Sequence, residues 1–179
     1  MVLLGVPEPV REYEEVRPDA AGRWPLAFAA QVATDLKGRL VPACERIEIA
    51  GSVRRAKSLV KDVELVCVPR VECRSNLLGE VQVYVNFLEQ LLDHLLWCNY
   101  QAGDHLVSGG LLAKRKNAQG REAYGRVNKL LVHKPTGLSV DIFTTETKHW
   151  GMTLLVRTGP KEFNICVMRR FRELGMMGH

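Results

Sequence analysis

Apolar residues recur at Leu26, Ala29, Ala30, Ala33, Leu36 and Leu40, the stripe of a helix over 25–40 that must pack against something. A sheet is the expected partner. Ile47 and Ile49 alternate ahead of Ala50-Gly51-Ser52, and residues 63–68 form a β-rich run closed by Pro69, which predicts two strands. The stretch between them, 53–61, reads as a basic turn. Helical spacing returns over 84–97 through Leu88, Leu91, Leu92, Leu95 and Leu96 and predicts a core-packing helix without chemistry of its own. Residues 128–133 and 138–143, joined by Lys134-Pro135-Thr136-Gly137, read as two strands around a turn. Two more helices follow at 146–156 and 161–174, with Gly175 placed to cap the second. Ahead of the first helix, Pro7, Pro9, Pro18 and mixed charge without a period predict an extended arm over 1–24.

A length of 179 residues fits one core, and 46% hydrophobic with 25% charged residues excludes a disordered chain. The apolar run at 91–97 is broken by Asp93 and His94, and the first nine residues lack a basic segment leading into an apolar one. The expectation is a cytoplasmic protein without a membrane partner. The five cysteines show no CxxC pair and no zinc spacing, which agrees with a reducing compartment. A net charge of +5 favours an anionic partner, because Lys and Arg replace counterions along a phosphate backbone. Trp24, Trp97 and Trp150 read as packing residues.

Three acids stand out against this background. Asp62 and Glu64 are two apart in a strand pattern, so their carboxylates share one face while Val63 and Leu65 take the other. Like charges that close repel unless a cation neutralises them, and hard oxygen donors suit Mg²⁺ or Mn²⁺. The plain alternative is an exposed polar face. Asp141 lies among Val140, Ile142 and Phe143 in an otherwise apolar strand; it either pairs with Lys129 or Lys134 or joins the first two acids. Upstream, Gly51 permits close backbone approach, Ser52 supplies a hydroxyl, and Arg55 can fork onto two phosphate oxygens.

In that order the residues GSVRRAKSLVKDVE resemble the signature of the polymerase beta superfamily, and the acid in VDIF matches its third carboxylate. Downstream, Arg157-Thr158-Gly159-Pro160-Lys161-Glu162-Phe163-Asn164 is similar to the threonine-glycine segment of family X DNA polymerases. The resemblance covers about 47–68 and 138–175. It implies an α/β (α+β) nucleotidyltransferase palm over 25–156, with a mixed β-sheet and helices packed on one face, followed by the start of a thumb-like segment over 157–179. It further implies that Asp62, Glu64 and Asp141 are catalytic and hold two Mg²⁺ or Mn²⁺ ions. Gly51, Ser52, Arg55, Thr158, Gly159 and Asn164 would hold a nucleoside triphosphate. Gly159-Pro160 replaces the family's glycine-serine pair, whose peptide bond is cis, so a cis bond is expected here.

The implied activity is metal-dependent addition of nucleotides to the 3′ end of a DNA primer or primer-template by a monomer. Other acceptors (RNA, a small molecule or a protein side chain) and a non-catalytic nucleic-acid-binding module are the competing readings. Lys114, Arg115, Lys116, Arg169 and Arg170 are the expected contacts to nucleic acid. Glu64 stands where aspartate is commoner and keeps the charge; Val156 and Arg157 replace the usual aromatics, and Met168 replaces a template-facing arginine. The N-terminal stretch has no helix-hairpin-helix pattern, so lyase activity is not expected.

Overall fold

Strand alternation sorts the residues of this chain into two faces of one mixed sheet, and each face has a separate task. The computed structural model describes residue 13 and residues 16–75, 82–93 and 105–176. The sheet is built from β2 (Cys44–Ile49), β4 (Asp62–Pro69), β9 (Ser139–Thr144), β8 (Asn128–His133) and β7 (Leu112–Lys114), in the order β2-β4-β9-β8-β7. Only the β4–β9 pair at its centre is parallel; the other neighbours run antiparallel. Two short sheets flank it: β1 (Trp24–Pro25) with β3 (Leu59–Val60), and β5 (Val71–Ser75) with β6 (Gln82–Asn86).

On one face, Val63, Leu65, Val140, Ile142 and Leu131 are fully buried against α1 (Leu26–Leu40) and α3 (Phe87–Leu92). The α1 stripe delivers Val32, Ala33, Leu36 and Leu40 without residual exposure, and each large side chain so buried contributes about 1.5–3 kcal/mol. The opposite face carries the even-numbered residues of β4. Its far end is covered by α4 (Trp150–Thr158): Trp150 and Leu154 close over Val66, Val68, Phe143 and Ala50. Its near end, with Asp62 and Glu64, is left polar. Helices therefore cover the face opposite the acids, as expected, and α4 adds a partial cover on the acid side.

The helix expected over 84–97 is corrected. Tyr84 lies in β6, paired with Cys73, and is largely exposed. The helix begins only at Phe87 because Asn86 caps it, its Oδ1 accepting from the Leu88 and Glu89 amides at 3.0 and 3.3 Å. It stops at Leu92 before an extended Asp93; the rest of the expected span lies outside the described residues. The basic turn over 53–61 resolves into the one-turn helix α2 (Gly51–Arg54) and β3. The helix expected from 146 begins with a 3₁₀ turn, Thr147–His149, and then runs as α4 to Thr158. The last helix, α5 (Lys161–Glu173), ends one residue short of the expected bound, with Gly175 at φ +69° just beyond it.

The arm expected over 1–24 is described at Tyr13 and from Val16 onward. Tyr13 docks on the helical side: its hydroxyl donates to Asp35 Oδ2 at 3.0 Å, and its ring meets His133 edge-on at 5.0 Å.

Candidate active site

Parallel pairing of β4 with β9 puts Glu64 directly beside Asp141, and Asp62 beside Ser139. Asp62, Glu64 and Asp141 thus share one face of two adjacent strands, each half-buried. Burial raises the carboxyl pKa of all three. Glu64 is pushed up to about 7, first by desolvation and then by the charges of Asp62 and Asp141. Asp62 is raised by desolvation against the opposing pull of Arg115, Lys61 and Arg55. Asp141 remains raised by desolvation although Arg115 Nη2 donates to its Oδ1 at 2.6 Å.

These shifts carry a stability consequence. A folded-state pKa above the unfolded value means that the folded chain binds the proton more tightly. Glu64 therefore favours folding most below pH 4.5, and that stability is lost as pH rises through about 7. The expected loss across this window is about 2–3 kcal/mol. Denaturant midpoints measured from pH 4.5 to 8 should fall along this course in the wild type, and Glu64→Gln should flatten it. An equal slope in the variant would place the titration elsewhere.

Gly51 follows β2 at φ +60°, and a Cβ built there would lie 1.8 Å from Glu64 Oε2. The Glu64 carboxylate occupies the volume that any side chain at 51 would need. The Ala50 amide donates to the Glu64 carbonyl at 2.8 Å, which ties the start of α2 to the acid strand. Ser52 follows, half-buried on the same one-turn helix.

Arg55 ends this turn and donates from Nη1 to the Thr158 carbonyl. It therefore joins the acid strands to the threonine-glycine segment. Gly159 takes φ +67°, a Cβ there would stand 3.2 Å from Arg55 Nη1, and the Gly159-Pro160 bond is cis as expected. Asn164, on α5, donates from Nδ2 to the Val156 carbonyl at 2.8 Å. Around these residues opens a cleft of about 770 Å³ rimmed by Arg55, Lys57, Arg157, Lys161, Arg169 and Arg172, with Met168 also on its wall. Three buried polar atoms of this region, Arg55 Nε, Thr158 Oγ1 and Asn164 Oδ1, have no hydrogen-bond partner. Unpaired buried polar atoms are costly; here Arg55 Nε is a donor, Asn164 Oδ1 an acceptor and Thr158 Oγ1 either, so the region offers a polar ligand both kinds of contact beside its cationic rim.

The basic residues expected on nucleic acid divide. Arg169 and Arg170 are exposed on α5, Arg170 pairing with Glu173 at 3.0 Å, and Lys116 is exposed beyond β7. Lys114 instead stands 3.8 Å from Asp93 and 4.2 Å from the centre of the Tyr124 ring. Arg115 is drawn onto Asp141, a pairing that spacing along the chain does not reveal. Lys129, a sequence-level candidate for that role, is buried on the helical face, where it donates to the Gly125 carbonyl at 2.7 Å and approaches Glu89 at 3.6 Å. Strand parity explains the exchange: Leu130 pairs with Asp141, so Lys129 faces away from it.

Among the described residues, no group of three or more His, Cys, Asp or Glu side chains converges as a metal centre. The donor set nevertheless fits a hard divalent cation: three carboxylates on one face, mutually repelling, with only Asp141 neutralised by a contact cation. No helix among the described residues is long and apolar enough to cross a membrane.

The mixed sheet and its flanking helices give the chain a fold similar to that of polymerase beta. Solved structures with this arrangement include the ternary P/T complex and the ternary gap complex of Leishmania infantum polymerase beta, each 20% identical with a TM-score of 0.51. The match covers 83% of this chain and 52% and 46% of those two chains, so the chain spans about half their length. No family model matches the sequence, and no curated protein matches it.

Proposed function

We propose that the protein is a metal-dependent nucleotidyltransferase that adds nucleotides from NTP or dNTP to a DNA 3′ end with release of pyrophosphate. The observation that carries this reading is the juxtaposition of three carboxylates on adjacent strands with a six-cation cleft containing unpaired buried polar atoms. The polymerase beta-like fold supports nucleotidyl transfer; the DNA acceptor rests on the basic residues and on the sequence resemblance.

In this reading, Ser52 and Arg55 hold the triphosphate, and Thr158, Gly159 and Asn164 position sugar and base. Asp62 and Glu64 would serve as ligands of both Mg²⁺ or Mn²⁺ ions, and Asp141 would hold the one that activates the acceptor hydroxyl. Bound there, the ions would supply Lewis acidity for the hydroxyl and the phosphoryl oxygens. The chain's own contribution is orientation and countercharge: Arg55 fixes the phosphates relative to Glu64, while α4 and the cis segment shape the floor of the cleft. Lys116, Arg169 and Arg170 would lie along the acceptor backbone.

The test is extension of a labelled DNA primer, bare and annealed, with each nucleotide separately in Mg²⁺ and in Mn²⁺. Growth of annealed primers with the matching nucleotide alone supports a template-directed polymerase. Growth of bare primers supports a terminal transferase, and bound triphosphate without extension shifts the acceptor to RNA, a small molecule or a protein. Absence of both binding and turnover would leave the non-catalytic reading. Arg55→Ala is expected to raise the apparent KM for nucleotide about tenfold or more, since it removes a charge-assisted phosphate contact. An unchanged KM would assign Arg55 to holding the Thr158 segment alone.

A further inference from the structure

The registers of β4, β9 and β8 align Glu64, Asp141 and Leu130 in one row across the sheet. Arg115 extends that row, because its amide donates to the Leu130 carbonyl at 2.9 Å just past the end of β7. From this edge its side chain crosses Leu130 and reaches Asp141, where Nη2 stands 2.6 Å from Oδ1. The acid is only 13% exposed there, so the contact is sheltered from water.

Three features make the pair more than a surface ion pair. Asp62 and Glu64 have no side-chain ion-pair partner among the described residues, so the protein's own compensation is concentrated on one of the three acids. Arg115 Nε is buried without a partner, so the guanidinium makes a single contact where it is built to make a fork. The anchor of the residue is its backbone bond to Leu130, which does not depend on the side chain staying at Asp141.

We propose that Arg115 is the protein's built-in countercharge for Asp141, holding that carboxylate when no divalent cation is bound and competing with the cation for it. Loading the site then requires the guanidinium to release Asp141, and Arg115 acts as a positioning residue that sets the cation concentration at which the three acids can converge. The proposal rests on the reading of these acids as cation ligands.

The experiment is a titration of the full chain with Mn²⁺ alone, without nucleotide, following free Mn²⁺ by electron paramagnetic resonance. Removing a competing cation should tighten binding about fivefold or more in Arg115→Ala. Arg115→Gln, which keeps the length and loses the charge, should behave alike and serves if the alanine variant does not fold. Arg115→Lys should stay near the wild type. In an Asp141→Asn background the gain should vanish. Equal or weaker Mn²⁺ binding in both neutral variants, with wild-type binding intact, would overturn the competition. Absence of Mn²⁺ binding in the wild type and in every variant would instead remove the cation reading on which it stands.

Discussion

Asp141→Asn is expected to lower the rate of nucleotide transfer by a factor on the order of 10³ while leaving the fold in place. The substitution keeps the shape of the side chain but removes the charge that a divalent ion and the attacking hydroxyl would share. Two opposing effects bear on stability. Asparagine keeps an oxygen that can accept from Arg115 but leaves the partly buried guanidinium without its counter-charge, which is unfavourable. Removing one of three like charges relieves Glu64, whose carboxyl is raised in part by Asp141. The two should nearly offset, so a melting temperature within a few degrees of the wild type is expected. Transfer rates and thermal melts on the same preparations check both halves. A wild-type rate would remove Asp141 from the mechanism, and a collapsed melt with no rate would make it a structural residue.

Much of this site was legible in the sequence because strand alternation is a local property. Asp62 and Glu64 had to share a face, and burial of Val63 and Leu65 bears that out. The parallel register that sets Asp141 beside Glu64 is different in kind. It depends on the crossover of everything between β4 and β9; the residues alone leave Asp141 open between a lysine partner and the other two acids, and the resemblance of VDIF to a third carboxylate favours the second. The pairing of Arg115 with Asp141 is hidden from the sequence for the same reason. As one member of a basic run Arg115 looked like a phosphate contact, and only the β7–β8–β9 registers bring it to Asp141.

The helical misreading over 84–97 has a local cause. Leucines at Leu88, Leu91 and Leu92 do form one buried helical face, but Asn86 supplies a cap that outweighs continuation of the pattern toward Tyr84. Before the cap, the chain pairs with β5 instead. A residue that competes for backbone amides carries more information about where a helix starts than the spacing of the apolar residues does.

The same logic makes Gly51 the most informative position for a second substitution. Its φ of +60° costs an L-residue about 1 kcal/mol, and an alanine Cβ would stand 1.8 Å from Glu64 Oε2 and 2.8 Å from the carboxyl carbon. Backbone on the α2 side is tied to the Glu64 carbonyl, so the carboxylate is the part that must move. Gly51→Ala is therefore expected to destabilise the protein by about 1–2 kcal/mol and, on the proposed function, to lower transfer about 10²-fold, because a displaced Glu64 would no longer serve the cation. A double-mutant cycle separates strain from clash: in a Glu64→Ala background, the stability cost of Gly51→Ala should shrink toward the strain alone. Equal costs in the two backgrounds would show that Glu64 yields freely. The glycine would then be required for its backbone angle, with no part in keeping the acid in place.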